Sequence, residues 1–255
     1  MSSLYHLIVI KIKKLKIKSA YGKGNEFLSN PKTLNAFYGT CFGHPYYSRA
    51  NLRDIIINLS QYTNQLLLVR WDSIYVHDLV AFKGLTYDQA IKKVELCADE
   101  FKRSFLKISR SLKALDLKNV EFKLCFSSEI YKNEKFSYLK RILTDFYEHD
   151  GCFRDDVHQQ IMQTPALGER ISQAYEKNPA TAEQILSIAS RYGIEQTAAH
   201  FYFSYYTPYE VRISNDPLPR FMKNIFNDKY STLKNELGLK NQELHYIEAV
   251  LENEQ

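Results

Sequence analysis

The chain has 255 residues, of which 45% are hydrophobic and 25% charged, and its formal net charge at pH 7 is +5. This is the composition of an ordinary globular protein, and it excludes a low-complexity or disordered chain. The longest apolar run near the N-terminus, LYHLIVIKI, is much shorter than a membrane span and precedes its lysines, so we predict a cytoplasmic protein without a secretory signal or membrane contact.

The first half of the chain alternates apolar, β-rich segments with helical ones. Strands are predicted at Leu4–Ile12, Leu34–Gly39, Gln65–Arg70 and Val120–Phe126, and helices at Arg49–Tyr62 and Thr86–Leu115. Thr86 is a plausible N-cap of the long helix, with Gln89 three residues later as its capping-box partner. Strands that alternate with helices predict an α/β fold with a mostly parallel sheet covered by helices on both faces.

The second half of the chain is predicted to be mainly helical. Helical periodicity covers Glu134–Glu148, Asp155–Met162, Pro165–Lys177 and Thr181–Phe203, a late strand is predicted within Thr207–Ser214, and the prolines of NDPLPRF mark a turn before a last amphipathic stretch. No linker-like segment divides the chain. We therefore predict a single domain over residues 1–255.

The four cysteines give no metal or disulfide pattern. Cys41, Cys97, Cys125 and Cys152 lie far apart, with no CxxC pair and no Cys/His cluster. We expect no metal and no organic cofactor, and we interpret the last three cysteines as small buried residues. Cys41 differs because Gly39-Thr40-Cys41 comes at the carboxyl end of a predicted strand, where parallel sheets bind ligands. It is either a nucleophile or one more buried thiol.

Two clusters of cations suggest a polyanionic partner. One covers Lys11 to Gly24, and the other, Phe101 to Lys118, has its cations at helical spacing. Each has a plainer interpretation. The first alternates lysines with apolar residues, as an edge strand protected by charge does, and the second could be a solvated helix face.

Four segments in chain order resemble the motifs of one known family. They are the Gly39-Thr40-Cys41 loop, the strand, Asp and helix of LLLVRWDSIYVHDLVAFKGLTYDQAIKKV, the Phe, Asp and Phe-Arg of FYEHDGCFRDDV, and the tyrosine helix of ASRYGIEQTA. Over Phe37 to Ser214 this ordered set resembles the tRNA-dependent cyclodipeptide synthases. The resemblance implies a Rossmann-like domain related to class I aminoacyl-tRNA synthetases. It also implies an aminoacyltransferase that joins the amino acids of two aminoacyl-tRNAs into a diketopiperazine.

The resemblance implies roles for particular residues. Cys41 stands where the family has a serine that accepts the first aminoacyl group, and a thiol, natural or engineered at this position, is also a competent acyl acceptor. Tyr192 matches the family tyrosine, but the residue four positions later is Gln196 where the family has a glutamate. Because an amide cannot act as a base, either Glu195 supplies the carboxylate through a register shift or the proton route differs.

Further residues are assigned to binding by the same resemblance. Gly39, Gly43, His44 and Asp72 are predicted to border the substrate. The long basic helix is predicted to contact tRNA through Lys92, Lys93, Lys102, Arg103, Lys107 and Arg110, since phosphate binding requires clustered cations. The expected partners are aminoacyl-tRNAs, and we expect a monomer.

Two other functions remain open on the sequence alone. A Cys/His hydrolase would pair Cys41 with His200 or His158, although no local signature of such enzymes surrounds the cysteine. A homologue that binds tRNA but has lost the chemistry would be compatible with Cys41 and Gln196. A nucleotide-binding Rossmann enzyme is disfavoured because the chain has neither GxGxxG nor GxxxxGK[ST].

Overall fold

The computed structural model of the chain describes residues 12–42, 45–114 and 120–252. Its strands form one six-stranded sheet. They are β1 (Leu15–Tyr21), β2 (Ala36–Cys41), β3 (Gln65–Trp71), β4 (Glu121–Phe126), β5 (Val211–Ser214) and β6 (Tyr246–Leu251).

The strand order is β1-β6-β5-β2-β3-β4. β2, β3, β4, β5 and β6 pair in parallel, whereas β1 runs antiparallel to β6 at one edge. From β2 the chain proceeds outward to β3 and β4 and then returns to place β5 on the other side of β2. The sheet therefore has its topological switch point between β2 and β5, where open α/β sheets form their ligand crevice.

Residues 12–42 and 45–114, the described part of the first half, form four helices and one short turn. They are α1 (Lys23–Ser29), a 3₁₀ turn (Pro45–Tyr47), α2 (Arg49–Leu59), α3 (Ser73–Lys83) and α4 (Tyr87–Ala114). The backbone N–H of Thr86 donates to Gln89 Oε1 at 3.0 Å, and that of Gln89 donates to Thr86 Oγ1 at 3.3 Å, which confirms the predicted capping box. α3 ends at Gly84, whose φ of 63° lies in the left-handed region that glycine adopts at helix ends.

Seven helices follow in the second half. They are α5 (Ser127–Ile130), α6 (Glu134–His149), α7 (Gly151–Met162), α8 (Pro165–Lys177), α9 (Pro179–Tyr206), α10 (Arg220–Phe226) and α11 (Ser231–Glu236). α7 and α9 begin earlier than their apolar periodicity predicts because polar side chains cap them. Asp150 accepts from the backbone N–H of Phe153 at 2.8 Å, and Asn178 accepts from that of Ala180 at 3.1 Å.

Two apolar layers cover the sheet. On one face, side chains such as Phe37, Val69 and Trp71 pack against α6, α7 and α9. On the other face, neighbours of opposite parity such as Tyr38 and Leu68 pack against α2, α3 and α4. Since side chains alternate along a strand, a central strand buried on both faces reads as a continuous apolar run, as LLLV in β3 does.

The predicted α/β architecture with a mostly parallel sheet and a helical second half is confirmed. The strand predicted at Leu34–Gly39 becomes β2, two residues further along the chain, and the late strand predicted within Thr207–Ser214 is β5. The sequence analysis missed six helices and strands: α1, α3, α5, α10, α11 and β6. The predicted strand Leu4–Ile12 lies outside the described residues, apart from Ile12, which is not in a strand.

The basic cluster Lys11 to Gly24 contains β1. Its exposed Lys16 and Lys18 alternate with half-buried Leu15 and Ile17, and the strand lies at the edge of the sheet. Exposed lysines discourage pairing of an edge strand with another chain. The described part of this segment therefore has the position and the charge pattern of the edge strand that the sequence allowed.

Candidate active site

Cys41 is the last residue of β2 and lies at the switch point. Its side chain is half-buried and belongs to both apolar layers at their common border. Its Sγ lies 3.3 Å from the hydroxyl oxygen of Tyr192, which projects from α9. The thiol is therefore not sealed in the core, and it contacts the tyrosine with which the sequence pattern associates it.

Gly39 precedes the cysteine under the indole of Trp71. A Cβ built on Gly39 would lie 2.9 Å from Trp71 Nε1, closer than side-chain carbons approach such atoms in proteins. The missing side chain therefore allows β3 to place its indole across β2, next to the thiol. The structure places Gly39 in a packing position. Gly43 and His44, the other predicted residues of this loop, lie outside the described residues.

The Tyr192 hydroxyl that contacts the thiol is also bonded to a residue one helical turn later on α9. Gln196 Nε2 donates a short hydrogen bond to the Tyr192 hydroxyl, as residues four apart on a helix can. Arg212 Nη2, from β5, donates to Gln196 Oε1 at 3.4 Å. Burial, and next the charge at Cys41, raises the pKa of Tyr192 well above its usual value, so this phenol is a proton donor at neutral pH.

Glu195 projects from α9 in a different direction. Tyr131 donates a short hydrogen bond to its carboxylate, and Lys140 Nζ lies 2.5 Å from Glu195 Oε1. α9 is continuous from Pro179 to Tyr206, so no register shift brings this carboxylate to the Tyr192 hydroxyl. Successive residues of a helix point about 100° apart, and Gln196 is the one beside the tyrosine hydroxyl.

Asp72, predicted to border the substrate, bonds to the start of α5 instead. Its Oδ1 accepts from Ser127 Oγ at 2.7 Å and from the backbone N–H of Ser128 at 2.9 Å. Its Oδ2 accepts from Ser128 Oγ at 2.5 Å. The aspartate is buried and joins the ends of β3 and β4, which is a structural position.

Tyr192 lines two cavities. The first, the Glu195 cavity, has a volume of about 450 Å³ and contains polar side chains that include His77, Lys140, Glu148, Arg191 and Glu195. The second, the Arg212 cavity, has a volume of about 280 Å³. It is lined by Gln196, Arg212, Asp216 and mostly apolar side chains of α7, α8 and α10. Both volumes are large enough for an amino acid side chain.

Arg212 and Asp216 are site residues that the sequence analysis missed. Arg212 is 4% exposed, and its Nε has no hydrogen-bond partner among the described residues. Asp216 follows β5, and Tyr47 next to it donates a short hydrogen bond to Asn215. In the sequence, Arg212 lies inside the late predicted strand and Asp216 lies two residues after it, which does not mark either residue; only the structure shows that β5 pairs with β2.

The six predicted tRNA-binding cations are all exposed on α4. At about 100° per residue, Lys92, Arg103, Lys107 and Arg110 share one face of the helix. Lys93 and Lys102 flank that face, and Lys102 Nζ lies 4.9 Å from the ring centroid of Phe126. We call these six side chains the α4 basic face.

The two histidines considered for a hydrolase are bonded or buried elsewhere. His200 is fully buried against Phe37, and neither ring nitrogen has a hydrogen-bond partner in the described part of the chain. His158 Nε2 lies 2.7 Å from the Tyr147 hydroxyl. Neither histidine is hydrogen-bonded to Cys41, so the proposed dyad is absent from the described site.

The other three cysteines are less buried than their interpretation as core residues requires. Cys97 and Cys125 are half-buried, and Cys152 is exposed on α7, so that interpretation is wrong for Cys152. Burial raises the pKa of Cys125 to about 12, which keeps this thiol protonated and unreactive at neutral pH.

Two general features of the described residues complete the site. Within residues 12–42, 45–114 and 120–252, no three His, Cys, Asp or Glu side chains are grouped as a metal ion would require. Over the same ranges, every helix is too short or too polar to cross a bilayer.

No protein-family model matches the sequence, and no curated protein matches it. Solved structures do match the fold. A cyclodipeptide synthase from Fluoribacter dumoffii superposes with a TM-score of 0.69 at 12% identity, covering 94% of this chain and 98% of that one. One from Staphylococcus haemolyticus gives a TM-score of 0.66 at 16% identity, covering 95% and 100%.

A third similar structure contains RNA. The cyclodipeptide synthase from Candidatus Glomeribacter gigasporarum, bound to Phe-tRNAPhe, superposes with a TM-score of 0.57 at 17% identity, covering 92% of this chain and 95% of that one. At these identities the likeness concerns the fold. The chain has the α/β fold of the cyclodipeptide synthases over nearly its whole length.

Proposed function

We propose that the chain is a tRNA-dependent aminoacyltransferase of the cyclodipeptide synthase type, which joins two aminoacyl groups through a thioester at Cys41. The observation that carries the proposal is the thiol at the switch point of this fold, 3.3 Å from the Tyr192 hydroxyl. Two cavities adjoin that tyrosine, one for each aminoacyl group. A thiolate is a strong nucleophile, and a thioester remains reactive toward amines.

In the first step, Sγ attacks the ester carbonyl carbon of an aminoacyl-tRNA. A bond forms between sulfur and carbon, the bond from that carbon to the ribose oxygen breaks, and the ribose oxygen takes up, through solvent, a proton equivalent to the one that the thiol has lost. Tyr192 keeps its proton because burial raises its pKa. Its hydroxyl therefore donates a hydrogen bond to the sulfur or to the developing oxyanion.

The second and third steps use the amines of the two amino acids. The neutral amine of the aminoacyl-enzyme attacks the ester carbon of a second aminoacyl-tRNA. A C–N bond forms, the C–O bond to the ribose breaks, one proton of the amine ends on the ribose oxygen, and a dipeptidyl-enzyme results. The new terminal amine then attacks the thioester carbon. A second C–N bond forms, the C–S bond breaks, and the amine proton returns to the thiol as the cyclic dipeptide leaves.

The amine must lose its proton before each attack, and Gln196 cannot accept it. The carboxylates that line the two cavities are Glu148 and Glu195 on one side of Tyr192 and Asp216 on the other. Glu195 is paired with Lys140 at 2.5 Å. We assign the ammonium group of the first aminoacyl residue to Asp216, because it shares the cavity of Gln196 and lies at the end of the strand beside β2.

The α4 basic face is the surface that we assign to the tRNA. Its six cations are exposed, and cations on one face of a helix bind phosphates without sequence preference. The bound Phe-tRNAPhe of the similar structure supports a tRNA as the partner. Helix α4 packs against α2 and α3, and its Phe101 lies against Arg70 near the carboxyl end of β3, beside the end of β2 that carries Cys41. RNA bound on α4 would therefore lie on a helix that contacts the Cys41 end of the sheet.

The proposal is tested with purified protein and charged tRNAs. We expect a cyclic dipeptide in solution and an aminoacyl adduct on the peptide that contains Cys41, both detected by mass spectrometry. Cys41→Ala should abolish both, whereas Cys41→Ser should retain synthesis because a hydroxyl performs the same transfer. Hydrolysis of simple esters without tRNA, and no adduct with it, would contradict the proposal and favour the hydrolase.

One observation favours a second candidate, a homologue that binds tRNA without completing synthesis. Arg212 Nη2 donates to Gln196 Oε1 at 3.4 Å, so a cation occupies the neighbourhood in which the family has a carboxylate. A cationic neighbourhood disfavours an ammonium group. Salt-dependent tRNA binding, with neither adduct nor cyclic product, would identify this second function.

A further inference from the structure

Arg70 is a buried cation next to the strand that carries the thiol. It is 5% exposed, and its Nε and Nη1 have no hydrogen-bond partner among the described residues. In the parallel register of β2 and β3, Arg70 lies beside Thr40 and Trp71 lies beside Cys41. The arginine is therefore one residue away from the nucleophile in the pairing of the two strands, and Cys41, at the strand end, also packs against the apolar layer that contains Phe42 and Phe101.

Two aromatic rings hold the Arg70 guanidinium in place. Its Cζ lies 4.0 Å from the ring centroid of Phe42 and 4.2 Å from that of Phe101. Phe42 directly follows Cys41, and Phe101 belongs to α4. Contacts with ring faces attract a cation, but they do not use its N–H groups, which remain available to an anion.

The two ring contacts leave the buried charge of Arg70 without a hydrogen-bonded counter-ion at Nε or Nη1 among the described residues. Burial of an unpaired cation is costly, and it lowers the pKa of Arg70 to about 10, which still leaves the group protonated at neutral pH. Among the neighbouring groups, a negative charge on Cys41 would raise the pKa of Arg70 the most. No carboxylate within the described ranges accepts a hydrogen bond from its Nε or Nη1.

We propose that Arg70 is the counter-ion of a Cys41 thiolate and a positioning residue for the nucleophile. The thiol proton goes to solvent, and the negative sulfur is then stabilised by the guanidinium from the β3 side and by the Tyr192 hydroxyl from the α9 side. A nearby cation lowers the pKa of a thiol and so raises its thiolate fraction at neutral pH. This inference rests on the proposed function for its biological use, whereas its test requires no tRNA.

Other titratable groups face the same end of the sheet and would respond differently. Burial raises the pKa of Tyr47 and of Tyr192, so both remain neutral hydrogen-bond donors at neutral pH. The remaining groups whose charges act on Arg70, Tyr47 or Tyr192 are Tyr46, Tyr75, Cys97, Arg212 and Asp216. Among these, the negative charge of Asp216 would destabilise a thiolate at Cys41. The positive charge of Arg212, on β5 at the other side of β2, would stabilise it.

The test measures alkylation of each cysteine by iodoacetamide from pH 5 to pH 10, with the modified peptides resolved by mass spectrometry. In the unaltered protein, we expect the Cys41 midpoint at least about one unit below that of an ordinary thiol near 8.5. In Arg70→Met, the midpoint should rise by about one unit or more, which is roughly a tenfold loss of alkylation rate at neutral pH. Arg70→Lys keeps the charge and should restore most of the shift.

Internal controls separate electrostatics from unfolding. The exposed Cys152, on α7, should alkylate identically in all variants. If Arg70→Met fails to fold by circular dichroism, Arg70→Gln and Arg70→Lys give the same comparison. A Cys41 midpoint at or above 8.5 in the unaltered protein, or one that does not change in the neutral variants, overturns the proposal.

The result also distinguishes this inference from the proposed function. A low Cys41 midpoint that depends on Arg70, without any aminoacyl adduct, would retain the counter-ion and reject the transferase. An adduct on a cysteine with an ordinary midpoint would retain the transferase and reject the counter-ion.

Discussion

The two sides of Tyr192 differ in how their charges are satisfied. On the side of the Glu195 cavity, the carboxylate is paired with Lys140 at 2.5 Å and accepts from Tyr131. On the side of the Arg212 cavity, the guanidinium has contacts of 3.4 and 3.5 Å to Gln196 and an Nε without a partner among the described residues. The first arrangement is complete without a ligand, whereas the second leaves hydrogen-bonding capacity unused.

This difference indicates that Glu195 and Gln196, which are adjacent on α9, have different roles. A buried polar group with all its partners stabilises the fold, and a buried group that lacks them is costly until a ligand arrives. We therefore interpret Glu195 as a residue that holds α6 against α9, and Gln196 with Arg212 as the part of α9 and β5 that meets substrate.

The largest effect should come from the tyrosine between the two sides. Tyr192→Phe removes the hydroxyl that contacts Cys41 while it preserves the ring, so we expect product formation to fall by about a hundredfold. Steady-state rates of cyclic dipeptide release measure this. Tyr175→Phe is the matched control, because its hydroxyl bonds to Glu183 on an exposed surface. Equal rates for the two variants would contradict the central place of Tyr192.

The next effect concerns the surface that brings substrate to both cavities. Replacing Arg103, Lys107 and Arg110 by alanine should weaken tRNA binding by roughly tenfold or more at low salt. The slope of log affinity against log salt should also fall by roughly one for each phosphate that the variant no longer binds. Filter binding over a salt series measures both.

A control triple tests whether position or net charge matters. Lys132, Lys177 and Lys240 are exposed cations outside α4, and their replacement by alanine lowers the net charge by the same amount. If this control weakens binding as much as the α4 variant, the α4 basic face is not the tRNA site.

An exchange within α9 would sharpen the comparison further. Gln196→Glu places a carboxylate between Tyr192 and Arg212, where it can bind an ammonium group, and we expect a several-fold higher rate if amine deprotonation limits the reaction. Glu195→Gln should leave the rate nearly unchanged and reduce the free energy of unfolding by about 1 kcal/mol, since Lys140 loses its partner but stays partly solvated.

The double variant, Glu195→Gln with Gln196→Glu, shifts the carboxylate from position 195 to position 196 without a change in net charge. Rates and urea unfolding curves of the three proteins should then separate the catalytic position from the structural one. A larger loss of rate in Glu195→Gln than in Cys41→Ser would show that the assignment is reversed.

Local signals predicted much of this arrangement. Helix α4 and its Thr86 cap depend on neighbouring residues, and the one-turn contact of Tyr192 with Gln196 depends on helical spacing, so a sequence suffices for both. The position of Cys41 at a strand end also follows from its apolar segment and glycine. These features require no knowledge of distant contacts.

The remaining features depend on tertiary contacts. Arg70 looks like an ordinary strand residue until Phe101 of α4 packs over it, and Arg212 becomes a site residue only because β5 returns beside β2. Asp72 was misassigned for the same reason, because its partners Ser127 and Ser128 come from the end of a different strand. The spacing of residues along the sequence does not predict these tertiary contacts.

The smallest predicted effect is a pH dependence of the free energy of unfolding, which arises from His200 near Arg212. Burial first, and then the charge of Arg212, lowers the pKa of His200 well below its usual value, so the folded protein keeps this imidazole neutral. The unfolded chain binds a proton near pH 6.5, so stability falls as the pH drops below that value, with a slope of up to about 1.4 kcal/mol per pH unit.

His200→Phe keeps a ring against Phe37 and Tyr246 and removes the titration. Urea unfolding at pH 7.5 and pH 5.0 should therefore show a smaller loss of stability in the variant than in the unaltered protein, by about 1 kcal/mol or more. His149→Gln, at an exposed position on α6, is the control and should leave the pH dependence unchanged. An equal loss in both variants would mean that His200 is protonated in the fold, which would require an anion beside Arg212 to offset its charge.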